Sequence, residues 1–211
     1  MKRFSAFGVL LLFLLFTMTG CVRDDDQLVA LKPVIYLYPE ETTTVNVTLE
    51  YKGELTCTYP AYRDGWTVVA EPDGTLTDPT AGREYSYLFW EGVSDTAYDL
   101  SKGFVVRGED VAAFLQEKLA FLGLEPREYN EFITFWLPRM QESPYNLITF
   151  QTDAYTESAV LHITPEPDSI LRVFMAYKAL KEPVEIEEPA LEGFERVGFT
   201  VVEWGGTEIT G

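Results

Sequence analysis

The sequence predicts an α+β fold, mainly antiparallel β, built as a sandwich or strongly bent sheet with a helical pair inserted between two groups of strands. Three observations predict it. From Lys32 onward, apolar and polar residues alternate in short runs separated by turn residues, which is the period of strands. That pattern gives way once, over about 109–137, to helical spacing. No internal repeat, heptad or second long apolar run follows the N-terminal one, so residues 32–211 are expected to form one β-rich domain. A length of 211 residues with 46% apolar content suits such a domain and its core.

The elements follow in order. "VNVTLEYKGELTCTYP" puts Val45, Val47, Leu49 and Tyr51 on one face, then a Lys52-Gly53 turn, then a strand around Cys57, a spacing that predicts a hairpin. Leu55, Cys57 and Tyr59 alternate with threonines, so Cys57 is expected to face inward as an inert buried thiol. "GWTVVAEPDGTLTD" gives a strand over Trp66 to Ala70 before a Pro72-Asp73-Gly74 turn. "REYSYLFWEG" continues with Tyr85, Tyr87 and Phe89 opposite Ser86, Leu88 and Trp90.

In "RGEDVAAFLQEKLAFLGLEP", Val111, Leu115, Leu119 and Leu122 share a helical face, with Phe114 and Phe121 along its edge. Glu109 and Asp110 complement the dipole of the first turn, and Gly123 is the expected stop. A second helix starts at Pro126, aligns Tyr129, Phe132, Ile133 and Trp136, and is expected to end at Pro138. Strands return in "NLITFQT", "SAVLHIT", "SILRVFMAY" and "GFTVVEW". A Pro165–Asp168 turn separates the second and third, and the acidic, proline-rich "KEPVEIEEPALEGFE" precedes the last.

The first 20 residues have the three parts of an export signal: Lys2 and Arg3, then "FSAFGVLLLFLLF", then small or weakly polar residues before Cys21. The uncharged run from Phe4 to Gly20 is short for a membrane span, for which roughly 17 to 25 residues are needed. "VRDDDQ" follows the cysteine and, with residues up to 31, reads as a solvated acidic tether. The "MTGC" of Met18, Thr19, Gly20 and Cys21 resembles the lipobox of bacterial lipoproteins, with Met18 where leucine is commoner. The resemblance implies diacylglyceryl transfer to the Cys21 sulfur, cleavage between Gly20 and Cys21, and acylation, palmitate for example, of the new amino group. Two or three acyl chains, at about 0.8 kcal/mol per buried methylene, make a stable anchor. It therefore implies a location at the extracytoplasmic face of the cell membrane or in the outer envelope, with membrane lipid as the partner of the anchor.

Three further strings, "KPVIYLYPEE", "YSYLFWEG" and "GFTVVEWGGTEI", resemble a domain of exported bacterial proteins often found behind lipoprotein signals. That resemblance spans Lys32 to the C-terminus. It implies an envelope location and a single domain, and carries no chemistry.

Charge and motifs narrow the function. The chain carries a net charge of -18, and Lys2 and Arg3 are the only charges before Cys21, so the part from Cys21 onward is more acidic still. Such a surface repels phosphate backbones, and nucleic acid is not an expected partner. His162 is the only histidine, set in a strand-like "AVLHITP" without GxSxG or HExxH nearby, which disfavours nucleophilic triads and zinc chemistry. Neither a phosphate-binding loop nor an EF-hand pattern is present, and Asp73 and Asp78 are better read as turn residues. No cofactor or metal is expected.

Two readings of function remain. The first is a membrane-anchored binding or structural module of the cell envelope, in which Trp66, Trp90 and Trp204, with Tyr62 and Tyr85, stack on a glycan or hold a peptide. The alternative is an acid-pair glycoside hydrolase acting on envelope or extracellular polysaccharide. Glu91 beside Trp90 and Glu203 beside Trp204 are similar strand ends where an indole desolvates a carboxyl and favours its neutral, proton-donating form. That chemistry needs both carboxyls about 5 to 9.5 Å apart across one bond.

Overall fold

A computed structural model describes residues 28–210. In chain order the elements are β1 (Leu28–Tyr38), β2 (Thr43–Tyr51), β3 (Glu54–Tyr59), β4 (Trp66–Ala70), β5 (Leu76–Thr77), β6 (Glu84–Tyr85), β7 (Leu88–Ser94) and β8 (Phe104–Arg107). A 3-10 turn, Gly108–Asp110, then leads into α1 (Val111–Phe121) and α2 (Pro126–Met140). The chain finishes with β9 (Tyr145–Gln151), α3 (Asp153–Ser158), β10 (Ala159–Thr164), β11 (Ser169–Leu180) and β12 (Thr200–Glu208). The leader, Gly20, Cys21 and the acidic run lie outside the described residues. Leu28 to Leu31, expected in the tether, are instead the first residues of β1, where Leu28, Val29 and Ala30 pair with β7.

The fold is α+β, with antiparallel pairing dominant. Seven strands form one sheet in the order β3-β7-β1-β12-β11-β9-β8, and five form a second in the order β10-β2-β4-β5-β6. The pair β11–β12 is parallel. Helices α1 and α2 pack on one face of the larger sheet, where Val34, Tyr36, Val173, Val202 and Trp204 meet Leu115, Phe132 and Trp136. The smaller sheet packs on the other face, where Ile35, Leu37, Trp90, Phe174 and Val201 meet Val45, Val47, Trp66 and Val68.

The seven-stranded sheet is thus the middle of three layers. A strand buried on both faces needs apolar residues at consecutive positions, which is why "VIYLY" in β1 and "VFMAY" in β11 run on without polar breaks. The five-stranded sheet has one solvated face, so Val45, Val47 and Leu49 alternate with polar residues as expected.

Several expectations are corrected by this layering. β2 and β3 do not form a hairpin. Both edges of β2 are taken, by β10 and β4, so β3 pairs with β7 in the other sheet. Gly53 makes that crossing possible, because a Cβ there would lie 2.2 Å from the Val93 carbonyl oxygen. Likewise the run from Tyr85 to Trp90 divides between sheets, Tyr85 in β6 and Leu88 to Trp90 in β7. Cys57 is exposed rather than buried. β3 is an edge strand, and its register against β7 slips between Leu55 and Cys57, so the alternation that buries Leu55 no longer carries Cys57 inward.

α2 runs past Pro138 to Met140. A proline so near the C-terminus disturbs only the last turn, and Met140 behind it is fully buried. At the other end Glu125 and Glu128 form a reciprocal capping box, with Pro126 in the first turn. α1 buries Val111, Leu115 and Leu119 as its spacing predicts and stops at Gly123, whose φ of 103° suits glycine. The connection from 181 to 199 crosses the helical layer, packing Leu191 and Phe194 there, and Arg196 fastens it by donating to the Gly123 carbonyl and the buried Glu128 carboxylate.

Candidate functional site

β7, β1 and β12 lie side by side, and they carry the three strings that stand out in the sequence. The strings are joined to one another. Glu91 Oε1 accepts the backbone N–H of Lys32 at 3.1 Å, and the Trp90 indole donates to Glu203 Oε1 at 3.1 Å. Gly205 lies against Pro33, where a Cβ would meet the proline Cα at 3.0 Å.

Lys32 is the centre of the join. Pro33 cannot donate to a ladder, and the register of β1 slips between Leu31 and Val34 against β12 and between Ala30 and Val34 against β7, as a proline inside a sheet requires. The bulge leaves Lys32 at φ 51°, a left-handed conformation that costs a non-glycine residue about 1 kcal/mol or more. Its side chain is half-buried, with Nζ 5.3 Å from the Trp204 ring centroid, 5.5 Å from Phe135 and 5.6 Å from Tyr87. Among the described residues its ammonium has no ion-pair partner within 4 Å. Burial pushes its pKa down, and the Glu131 carboxylate, which accepts a hydrogen bond from Tyr36 at 3.1 Å, partly opposes that. An amine held this way gives up its proton more readily than a free lysine and remains attracted to the aromatic faces around it.

The two carboxylates proposed as an acid pair are not brought together. Leu88 and Trp90 point between the sheets, so Glu91, next along β7, points to the helical side. Glu203 lies between Val202 and Trp204, which face the helices, so it points between the sheets. They stand on opposite faces of one sheet, and no single glycosidic bond can reach both. Glu203 is wholly buried and Arg172 Nε donates to its other oxygen at 2.6 Å. The Arg172 guanidinium also lies 4.8 Å from the centroid of the buried Tyr155 ring, whose hydroxyl is held far above its usual pKa by burial and then by the Glu203 charge.

The three tryptophans proposed as ligand platforms are core residues. Trp66 is 3% exposed and Trp90 and Trp204 are fully buried, because each points at a sheet face that another layer covers. Trp66 donates to the Pro60 carbonyl at 2.8 Å. Tyr62 accepts from the backbone of Leu49 at 3.0 Å, and Tyr85 packs edge-on against Tyr59. His162 is exposed, with Nε2 3.2 Å from a Glu50 carboxylate oxygen. Asp73 and Asp78 accept the backbone N–H groups of Thr75, Thr80 and Ala81, bonds that hold both carboxyls below their usual pKa and make them turn residues.

Sequence reasoning missed a groove where a strand ends early. β12 pairs with β11 from Ser169 to Tyr177, but β9 pairs with β11 only from Phe174 to Leu180. After Gln151 the chain leaves the sheet through α3 and enters β10, which pairs with β2 alone. The first five residues of β11 therefore have no strand on their β9 side. The space is a groove of about 600 Å³ whose walls include Leu122, Phe194, Val160 and Ile170, with Asp153 and Glu192 among its lining residues. Val160 and Ile170 are 36% and 41% exposed, high for residues of their size in a strand. Arg172 also lines the groove, its charge already engaged by Glu203.

A protein of Butyrivibrio fibrisolvens described as "Uncharacterized protein in bglA 3'region" is 38% identical to this chain over 97 residues, 99% of its own length and 44% of this chain. The chain belongs to that protein's family. The name of this relative states no activity, so what the family contributes is kinship rather than chemistry. No protein-family model matches the chain, and no solved structure matches it.

Proposed function

We propose that this member of the family is a lipoprotein of the bacterial cell envelope, anchored through Cys21, that binds its ligand noncovalently in the groove between β10 and the open edge of β11. The groove is the observation that carries the binding half of the reading. It is concave, apolar on two sides, and edged by the stretch of β11 that β9 does not reach and by the exposed side chains of Val160 and Ile170. The lipobox-like "MTGC" supports the anchoring half, and the acidic run behind it suits a tether that holds the globule off the membrane surface.

Each half has its own test. Expressed in a bacterium, the full chain is expected to partition into detergent and to carry a diacylglyceryl thioether on Cys21, with Cys21→Ser moving it to the aqueous phase. An intact leader on the mature protein, seen by mass spectrometry, would end the anchoring half. For the binding half, Ile170→Glu is expected to abolish capture of the chain's ligand with the fold unchanged by circular dichroism. Binding that is indifferent to that substitution would end it.

A further inference from the structure

The geometry points to an extended peptide as the ligand, an apolar segment with basic ends added as a strand to the open edge of β11; this rests on the groove being the binding site. In a ladder, alternate residues direct their N–H and C=O groups to one side and the rest to the other. Over Ser169–Val173 the β12 side is paired without a register slip, and no strand takes the β9 side. A row of unpaired main-chain donors and acceptors is satisfied by another strand in a way that a sugar, lacking their spacing, cannot match.

Proline, lysine and a bulge, three of the usual guards of an exposed edge, are missing here. The stretch "SILRV" has no proline or lysine, no bulge interrupts it, and its one charge is held by Glu203. Five residues of strand span about 16 Å, a short recognition segment in length. An added strand would present alternate side chains to opposite walls. Leu122 and Phe194 stand on the helical side, and Val160, Leu161 and Ile170 on the side of the smaller sheet, so both sets of side chains meet apolar surface. Asp153 and Glu192 are acidic lining residues in a chain of net charge -18 and favour positive charge on the segment, which an apolar middle leaves to its ends.

The test uses the full chain and a blocked, fluorescent, valine-rich peptide with a lysine at each end. Binding read by anisotropy is expected to weaken about tenfold when alternate peptide nitrogens are methylated so as to remove the edge donors, because about two hydrogen bonds of about 1 kcal/mol each, to the carbonyls of Ile170 and Arg172, are lost. Exchanging the end lysines for glutamates is expected to weaken it as well. Hydrogen exchange is expected to slow at the amides of Ser169–Val173. Ile170→Glu and Val160→Glu, at positions already exposed, are expected to weaken binding without unfolding the chain.

Equal binding of the methylated peptide, or protection that falls elsewhere, would overturn strand addition. A panel of neutral oligosaccharides separates the two levels of the idea. If an oligosaccharide binds in a manner sensitive to Ile170→Glu while the peptide does not bind, the groove stands and the peptide is wrong. If the binding of no probe responds to that substitution, both are wrong.

Discussion

Arg172 and Glu203 are register partners on the parallel strands β11 and β12, and their charges meet at 2.6 Å between the two sheets. The carboxylate has no exposure and the arginine side chain 11%, so neither charge is solvated well enough to stand alone. The Trp90 indole takes the second carboxylate oxygen and links the pair to β7, two strands away. Arg172 lines the groove while Glu203 lies wholly behind it, and the pairing is what permits an arginine in a core layer.

Removing one partner leaves the other buried and uncompensated. Glu203→Gln is expected to destabilise the fold by about 3 to 5 kcal/mol, whereas the double change Glu203→Leu with Arg172→Met recovers most of that loss. Urea midpoints at unchanged slope measure both. A small effect of the single change would show that the pair is solvated after all.

The Lys32 amine makes stability depend on pH in a defined direction. Its folded pKa lies below the ordinary 10.5, so between those two values the unfolded chain binds more protons and stability rises with pH. Below the folded value both states hold the proton and the slope vanishes. Tyr36 and Tyr38, whose pKa values burial raises, contribute the opposite slope above about 10, where unfolded tyrosines ionise first. The difference in unfolding free energy between the native chain and Lys32→Met, followed from neutral pH to below that point, is expected to grow with pH. A flat difference would mean that the aromatic faces and Glu131 hold the charge fully.

Cys57 is expected to react with a maleimide in the native state without prior unfolding of the chain, since it is exposed on the edge strand β3. Mass spectrometry of the labelled peptide reads the site. If Cys21 is lipidated as proposed, the mature chain titrates one thiol rather than two.

Gly206→Ala should be far more harmful than an alanine on a free surface. The added Cβ would lie 2.5 Å from the Met175 carbonyl oxygen and 2.7 Å from the Trp136 ring, with α2 packed on one side and β11 on the other. Overpacking of this kind costs about 1 to 3 kcal/mol. Gly82→Ala, with nothing within 4 Å of its Cβ, is the comparison, though its φ of 63° adds a conformational cost of its own. Thermal midpoints rank the two.

Much of the secondary structure is legible in the residues. Val111, Leu115 and Leu119 announce α1 by spacing, the Pro72–Gly74 turn is visible in its own chemistry, and "SILRVFMAY" reads as the strand it is. Pairing is not legible there. Lys52-Gly53 is as good a turn for a hairpin as for a step between sheets, and only the occupation of both edges of β2 decides between them. Nor does alternation say which face is covered. Trp66, Trp90 and Trp204 offer themselves as ligand platforms until a second layer is seen over each of them.

The same division holds for function. Residue order by itself determined the helical pair and most of the longer strands, how acidic the chain is, and the cysteine at the seam of an apolar run and an acidic one, because these depend on neighbours a few bonds apart. Tertiary structure alone decided that Glu91 and Glu203 face opposite ways, that three distant strings meet at Lys32, and that β11 outruns β9 and leaves an edge open. Those are relations between strands far apart along the chain, set by which faces and edges remain unburied when the layers close, and no local pattern encodes them.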